Sequence, residues 1–290
     1  MIFILVKRGQ NQGMDALQTL VDGAVKNVLE EFAPQRLRAE QLAVTLVSLD
    51  GDFPRATQRG DEPFYPASVI KMFYLAATHR WLEDKKISDS PELRRGLRDM
   101  IVDSSNEATG YVLDVLTDTT SGPELPPAEL AAWHEKRNAV NRYFHGLGYP
   151  EINANRKTWN DGPYGRDKQA VDQFTPSRNC LTTNATARLF VEIATGRCVS
   201  AARCAEMLAL MRRDFTNPAS TDYQGREFTG AGLPATAKLW SKAGDMSTAR
   251  HDAAIVELAS GKRLVLVIFT TRPEEKGIIP AIARRIVAGF

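Results

Sequence analysis

The pattern of hydrophobic and polar positions predicts strands near both ends of the chain. An apolar stripe over residues 15–32 predicts a helix, and residues 41–49 predict a strand that ends in a turn at Asp50-Gly51-Asp52. A short strand at residues 56–59 would complete a hairpin. Three further strands, joined by short turns, are predicted at residues 238–243, 253–258 and 263–270. Sequential strands with short connections favour an antiparallel meander.

The middle of the chain is predicted to be helical. Residues 66–77 are apolar on nearly all sides, which indicates a helix buried within the protein. Other helices are predicted at residues 90–101, 107–116, 128–146, 184–195 and 200–211, and from Pro280 onward. Residues 149–183, called the long loop below, show no periodicity. A loop of this length within a domain is usually functional or disordered, and its aromatic residues favour a packed loop.

These elements predict an α+β fold. An antiparallel sheet of about five strands would be built from both chain ends and flanked by helices, with an all-helical lobe inserted. The sheet lobe would comprise residues 1–60 with 215–290, and the helical lobe residues 61–214. A chain of 290 residues can hold one large domain or two interleaved lobes, and we expect one structural unit.

Composition and charge exclude several classes of function. The chain is 43% hydrophobic and 25% charged, as is typical of a globular protein, and its formal net charge is +2. No basic-aromatic array or nucleic-acid motif is present, so we expect no nucleic-acid partner. No apolar run reaches the length of a membrane span. We expect a monomer that acts on a small-molecule or peptidoglycan-like substrate.

The first residues and the cysteines bear on the compartment. Met1–Val6 is too short for a signal-peptide core and leads to no cleavage site, so the chain as written is either cytoplasmic or trimmed. Cys180, Cys198 and Cys204 are an odd number without metal-ligand spacing. We expect three reduced thiols, with a single disulfide as the second interpretation.

Ser68 and Lys71 lie at the start of the predicted buried helix. Pro66 favours a helix start, and a spacing of three residues places the lysine over the serine on one helical face. Burial disfavours a charged amine, and a neutral amine can take a proton from a hydroxyl. The competing interpretation is a helix-capping serine and a lysine that extends to solvent, because about one S-x-x-K pair is expected by chance in such a chain.

Three short motifs occur in order: Ser68-x-x-Lys71, Ser104-Ser105-Asn106 and Lys242-Ala243-Gly244. This arrangement resembles the serine penicillin-recognising enzymes, most closely the class A β-lactamases with their S-x-x-K, S-D-N and K-T-G motifs. Residues 181–187 resemble the threonine-rich helix start after that family's Ω-loop, and the last three predicted strands resemble its final strands. The resemblance covers nearly the whole chain and implies a β-lactamase/transpeptidase-like fold.

The resemblance implies a role for each matching catalytic residue. Ser68 would be the acylated nucleophile, and Lys71 a general base or proton shuttle. Ser104 would pass the proton to the leaving nitrogen, and Lys242 would supply positive charge toward Ser104 and a substrate carboxylate. The backbone N–H groups of Ser68 and Asp245 would form the oxyanion hole, which stabilises charge that develops in the transition state.

Substrate-binding roles follow from the same resemblance. Asn106 would hold a substrate amide, and Arg250 stands where some relatives bind the substrate carboxylate. The implied substrate-binding residues are Asn106, Ala243, Gly244, Asp245 and Arg250. No metal and no cofactor are implied, and we expect neither.

The sequence departs from the family pattern at four places. Ser105 replaces a common aspartate, and Ala243 lacks the hydroxyl that would bond a substrate carboxylate, at a cost on the order of 1–3 kcal/mol. The span between Lys71 and Ser104 is much shorter than in the family. Thr158 aligns with the deacylating glutamate, although threonine cannot act as a base near neutral pH. Three nearby carboxylates are out of register: Glu151, Asp161 and Asp167.

We therefore expect a class A β-lactamase-like serine hydrolase that hydrolyses a β-lactam or a related amide or ester. A D,D-peptidase or penicillin-binding-type activity with slow deacylation, or an esterase activity, is the first alternative. A catalytically silent ligand-binding homologue is the second. The scattered histidines are interpreted as surface or core residues: His79, His134, His145 and His251.

Overall fold

The computed structural model describes residues 2–290, with side chains from residue 14 onward. In this part of the chain, one antiparallel sheet comprises β1 (Leu42–Ser48), β2 (Arg55–Gln58), β3 (Arg212–Arg213), β4 (Lys238–Met246), β5 (Ala249–Glu257) and β6 (Arg263–Thr270). The strand order is β2-β1-β6-β5-β4-β3. The predicted α+β fold with a sheet from both chain ends is confirmed. The additional β3 has two residues, too few to show an alternating pattern.

Helices cover both faces of the sheet. The described α-helices are α1 (Ile2–Glu31), α2 (Lys71–Glu83), α3 (Pro91–Ile101), α4 (Asn106–Thr117), α5 (Pro127–Arg137), α6 (Ala139–Gly146), α7 (Gly165–Gln173), α8 (Thr183–Ala194), α9 (Ala201–Met211), α10 (Tyr223–Arg226) and α11 (Ile278–Ala288). Ser90 caps α3 by accepting from Leu93 N, as the Ser90-Pro91 pair predicts. Among the described residues, no helix is long and apolar enough to cross a membrane.

Alternating residues of β6 belong to two separate cores. Val265 and Val267 pack in a cluster with residues of α2, α4 and α8, whereas Leu264 and Leu266 pack in a second cluster with residues of α1 and α11. Side chains of a strand point alternately to the two faces of its sheet. Since both faces of β6 are covered, an almost continuously apolar sequence satisfies the strand.

The helix α2 lies at the centre of the first cluster. Every residue from Lys71 to His79 is buried, which confirms the predicted buried helix. The ring of Phe73 packs edge-on against Phe144 and Tyr149, with centroids 4.8 and 6.1 Å away. The helix itself begins at Lys71, because the preceding residues form a 3-10 turn, Ala67–Ile70. The start of this helix is therefore held rigidly from all sides.

The single helix predicted over residues 128–146 is wrong, because α5 and α6 are separated at Asn138. The Asn138 side chain donates to His134 O and accepts from Asn141 and Asn155, so it competes with the helical backbone. The two helices also pack in different clusters, with Leu130 of α5 in a small third core. The apolar stripe is continuous in the sequence, but its two halves pack in different clusters.

The long loop is not free of regular structure, since it contains α7. Asp167 and Ala170 are the buried residues of this helix, so it lacks the apolar stripe that would have predicted it. An exposed ion pair between Lys168 and Asp172, four residues apart, supports it instead. The first part of the long loop packs against the helices as predicted, with Tyr149, Ile152 and Ala154 in the first cluster, whereas its aromatic residue Tyr164 is exposed.

A buried histidine joins the sheet to the segment that enters the Ser68 turn. The Nε2 atom of His251 in β5 lies 2.9 Å from Tyr65 O, and its Nδ1 atom accepts from Thr270 N at 3.1 Å. A ring that accepts at Nδ1 and donates at Nε2 is neutral. Burial lowers the pKa of His251 to about 4. The core interpretation of His251 agrees with this environment.

We predict that the free energy of unfolding falls as the pH is lowered from about 6.5 to about 4. Over this range the unfolded chain binds a proton at His251 and the folded chain does not, which costs about 1.4 kcal/mol per pH unit. Urea unfolding at several pH values measures the slope. His251→Gln should make the slope shallower than in wild type, whereas the exposed control His145→Gln should not. Equal slopes in all three proteins would contradict the prediction.

Candidate active site

The strand β4 runs against the turn that carries Ser68. A β-carbon on Gly244 would lie 2.8 Å from Pro66 O and 3.1 Å from Ser68 N, so only glycine allows this close approach. The strand was predicted over residues 238–243, but it continues through Gly244 to Met246. Asp245 therefore lies within the strand, next to the residue that contacts the Ser68 turn.

Two residues of the site have strained backbone. Ala67 has φ 46° and Ser104 has φ 56°, in the left-handed region that non-glycine residues rarely adopt. Such a conformation costs on the order of 1–3 kcal/mol and persists where the surroundings impose it. The two strained residues are the neighbour of Ser68 and the first residue of the second motif. Both loops are thus fixed in shape by the packing around them.

Lys71 is fully buried, and its amine faces the second motif. The Nζ atom donates to Ser104 O at 2.6 Å, Asn106 Oδ1 at 2.9 Å and Ser104 Oγ at 3.3 Å. Burial lowers the pKa of Lys71 to about 7, and the negative charge of Glu107 opposes that shift. Near neutral pH the amine therefore exists in both protonation states. Ser68 is half-buried, and its Oγ atom has no hydrogen-bond partner among the described residues. The Lys71 amine donates to the second motif and not to Ser68.

Lys242 is the second buried lysine of the site. Its Nζ atom donates to Ser104 Oγ at 3.0 Å, Gln224 Oε1 at 2.6 Å and Ala243 O at 2.7 Å. Burial lowers the pKa of Lys242 well below its ordinary range, and the nearby Lys71 lowers it further. Ser104 Oγ is consequently shared by two amines. The structure brings together Lys71, Ser104 and Lys242, three of the residues that the sequence predicted.

Gln224, which was not predicted as a site residue, connects Lys242 to the end of α3. It is fully buried, and its Oε1 atom accepts from Lys242 Nζ and from Ala243 N. Its Nε2 atom donates to the carbonyls of Ile101 and Val102, just before the strained Ser104. Gln224 therefore ties β4 to the end of α3. As a lone glutamine in a polar segment, it gives no signal in the sequence.

The second motif also forms the start of α4. Ser105 caps this helix, since its Oγ atom accepts from Ala108 N at 3.0 Å. This cap explains why a serine can replace the family's aspartate at a position that supports the loop. Asn106 is the first residue of the helix, and its Oδ1 atom faces Lys71 while its Nδ2 atom donates to Asn160 Oδ1 at 2.7 Å. Asn160 belongs to the long loop and was not predicted either.

Thr158 lies beside a cavity of about 560 Å³ that Asn106 and Asn160 also line. The side chain is buried, and its Oγ1 atom has no hydrogen-bond partner in the described part of the chain. Of the carboxylates considered as alternatives, Asp161 lines the same cavity and Asp167 faces Arg137 at 3.7 Å. The third, Glu151, is exposed.

Arg250 is buried rather than open to the cleft. Its guanidinium donates to Asp245 Oδ2 at 2.6 Å and to Glu227 O at 3.0 Å, and it stacks over the Phe228 ring. Asp245 and Arg250 face each other across the β4–β5 pair. The guanidinium thus already has a carboxylate partner within the protein.

Other candidate chemistry is sparse. Among the described residues, no group of three or more His, Cys, Asp and Glu side chains could hold a metal ion. The three cysteines are free thiols: Cys180, Cys198 and Cys204. His79 is buried beside Glu206, and burial lowers its pKa to about 4. Neither the thiols nor the histidines take part in the centre around Ser104.

With this geometry described, comparison with known proteins identifies the family. The model of the beta-lactamase enzyme family matches residues 88–290, well over half of the chain. The chain therefore belongs to the beta-lactamase enzyme family, as its motifs predicted. The matched residues include Ser104 and Lys242, whereas Ser68 and Lys71 precede them. No curated protein matches the chain by sequence.

Solved structures share the fold along nearly the whole chain. A beta-lactamase from Sphaerobacter thermophilus is 18% identical with a TM-score of 0.64, over 92% of this chain and 96% of that one. A beta-lactamase from Chitinophaga pinensis is 22% identical with a TM-score of 0.63, over 91% and 97%. A PBP-A mutant, as its acyl-enzyme complex with penicillin G, is 19% identical with a TM-score of 0.63, over 92% and 96%. At these identities the similarity establishes the fold alone.

We predict that Gln224→Leu destabilises the protein by roughly 1–3 kcal/mol, because it removes an acceptor from Lys242 Nζ and from Ala243 N and a donor to the carbonyls of Ile101 and Val102. Urea unfolding measures the loss. The exposed Gln173→Leu is the matched control and should have little effect. If both variants unfold at the same urea concentration as wild type, the assigned role of Gln224 is incorrect.

Proposed function

We propose that the chain is a serine hydrolase that a β-lactam, or a related amide or ester, acylates on Ser68, and that it releases the acyl group slowly. The observation that carries this proposal is the sharing of Ser104 Oγ between the amines of Lys71 and Lys242, next to the Ser68 turn. Buried amines in this arrangement can exchange a proton with hydroxyl groups. A purely structural lysine would extend its amine to water instead.

Acylation would begin with Lys71 in its neutral form. With a pKa of about 7, a substantial fraction of the amine can accept the Ser68 hydroxyl proton near neutral pH. The serine oxygen would then form a bond to the substrate carbonyl carbon, while the backbone N–H groups of Ser68 and Asp245 stabilise the oxyanion. As the carbon–nitrogen bond breaks, Ser104 would give its proton to the leaving nitrogen and regain one from Lys71. The close approach at Gly244 supports this placement of Asp245.

Substrate recognition would depend on three of the predicted contacts. Asn106 donates one Nδ2 hydrogen to Asn160, which leaves the other for a substrate amide. Lys242 would attract a substrate carboxylate. Ala243 has no hydroxyl group, so it adds no side-chain hydrogen bond to that carboxylate. Arg250 would reach such a carboxylate by giving up its bond to Asp245, so we assign it the weaker contribution.

Slow deacylation follows from Thr158. Hydrolysis of an acyl-enzyme needs a base that activates water, and a threonine hydroxyl is no such base near neutral pH. A persistent adduct would make the chain resemble a penicillin-binding protein more than an efficient β-lactamase. The similarity to PBP-A, of which a mutant structure is an acyl-enzyme complex with penicillin G, supports the acylation step of the proposal.

We predict that intact-protein mass spectrometry detects a covalent adduct on wild type after a penicillin or a cephalosporin is added. The adduct should persist after removal of free antibiotic, and Ser68→Ala should form none. A short-lived adduct with antibiotic loss would mean that a group other than Thr158 activates the water. Failure of both antibiotics to acylate wild type would contradict the proposed function and favour the ligand-binding alternative.

We predict that Thr158→Glu shortens the lifetime of the adduct at least tenfold, because it introduces a base where the family has one. The cavity of about 560 Å³ beside Thr158 provides room for the longer side chain. Thr158→Gln is the matched control, since it has the same shape without a base. Adduct decay is followed by mass spectrometry, and equal lifetimes of the Glu and Gln variants would show that position 158 does not face the acyl group.

A further inference from the structure

A continuous series of hydrogen bonds leads from the Lys71 amine to the surface. Lys71 Nζ donates to Asn106 Oδ1 at 2.9 Å, and Asn106 Nδ2 donates to Asn160 Oδ1 at 2.7 Å. Asn160 Nδ2 then donates to Glu107 Oε1 at 2.6 Å. The other carboxylate oxygen of Glu107 accepts from Ser105 Oγ at 3.1 Å. We call the four residues Lys71, Asn106, Asn160 and Glu107 the amide chain.

The two ends of the amide chain fix its direction. A carboxylate can only accept hydrogen bonds, so Glu107 obliges Asn160 to present its nitrogen on that side and its oxygen to Asn106. Asn106 must in turn present its nitrogen to Asn160 and its oxygen to Lys71. This order holds whether or not the Lys71 amine is protonated. The orientation of Asn106 is therefore set from a residue that does not touch the amine.

Glu107 is charged throughout the neutral range. Its pKa is lowered by a hydrogen bond from its own backbone N–H, by Ser105 and, to a smaller degree, by the charge of Lys71 and by Asn160. Its place in the first turn of α4 also favours a carboxylate, because the helix N-terminus has a partial positive charge. The charge of Glu107 in α4 raises the pKa of Lys71 against the effect of burial, whereas the charge of Lys71 lowers the pKa of Lys242 in β4.

We propose that Asn160 is a positioning residue, which holds Asn106 so that its amide oxygen faces Lys71 and its free N–H faces the substrate, with Glu107 fixing the direction. This inference rests on the proposed acylation of Ser68. Amide groups orient neighbours but exchange protons poorly, so the amide chain positions groups and does not conduct protons. Both Asn160 and Glu107 are exposed, and water competes with their bonds until a ligand covers them.

Through the amide chain, Glu107 also influences the Lys71 amine, in a site where Thr158 takes the place of the deacylating glutamate. Glu107 is separated from the Lys71 amine by two amide groups, so it acts on the amine through its charge and through Asn106. It supports the acylation step without replacing the base missing at Thr158. Loss of Asn160 should accordingly affect acylation rather than the lifetime of the adduct.

The first test is the pH dependence of the rate at which a penicillin acylates the chain of residues 1–290. Asn160→Ala removes the acceptor for Asn106, and we expect a fall of roughly tenfold in the high-pH rate. Asn160→Asp keeps an acceptor for Asn106 and should retain most of that rate. An unchanged rate in Asn160→Ala, or an equal loss in both variants, would overturn the proposal.

The second test does not depend on acylation. Titration of ¹³C-labelled lysine by NMR, with the Lys71 signal identified by its loss in Lys71→Arg, reports the pKa of the amine directly. Glu107→Gln should lower that pKa, and Asn160→Asp should raise it, because a negative charge is lost in one variant and gained in the other. Asp161→Asn is the matched control, since it removes a charge from the same loop outside the amide chain.

The two tests separate failure of the inference from failure of the proposed function. If no antibiotic acylates wild type, the proposed function fails, and the lysine titration still tests the amide chain. A Lys71 titration that Glu107→Gln leaves unchanged would overturn the inference. So would an equal shift in Asp161→Asn, because the effect would then be a general one of charge on this surface.

Discussion

The structure depends on the burial of two lysine amines around one serine hydroxyl. A charged amine without water is costly, so Lys71 and Lys242 need a complete set of acceptors, and Ser104 Oγ serves both. Those acceptors come from α4, from β4 and from Gln224, which belongs to α10. Elements from distant parts of the chain must therefore meet at one point. The packing of these elements holds the two lysine amines and Ser104 together, and it imposes the strained backbone of Ser104.

Rigidity at this point comes from the sheet and from α2. The helix is buried along most of its length, and β4 approaches the Ser68 turn so closely that Gly244 has no room for a side chain. The neutral side chain of His251 bonds Tyr65 O and so holds the segment that leads into the same turn. An arrangement held from three sides is preorganised, so little reorganisation is needed when charge develops. This rigidity agrees with the proposed acylation and is independent of the identity of the acyl donor.

Much of the fold and part of the site could be predicted from the sequence, for identifiable reasons. Strands such as β6 and the helix α2 have strong local patterns, and the three motifs occur in the order of a known family. The polar helix α7 escaped prediction because it has no apolar stripe. The division at Asn138 escaped because its side chain bonds Asn155 in the long loop, a tertiary contact that no local pattern shows. Gln224 and Asn160 escaped for the same reason, since each acts through partners far away in the chain. The division into a sheet lobe of residues 1–60 with 215–290 and a helical lobe of residues 61–214 stays a prediction.

The pairing of β1 with β6 has a consequence for biosynthesis. These strands lie near opposite ends of the chain, yet they pair along their whole length, from Leu42 with Thr270 to Ser48 with Leu264. Contacts that close such long loops form late and slow the folding of a domain. During synthesis on the ribosome, the sheet can cover the apolar surface of α2 only after β6 has been made. A chain that stops before β6 would leave this apolar surface exposed, so it would be prone to aggregate rather than form a smaller working domain.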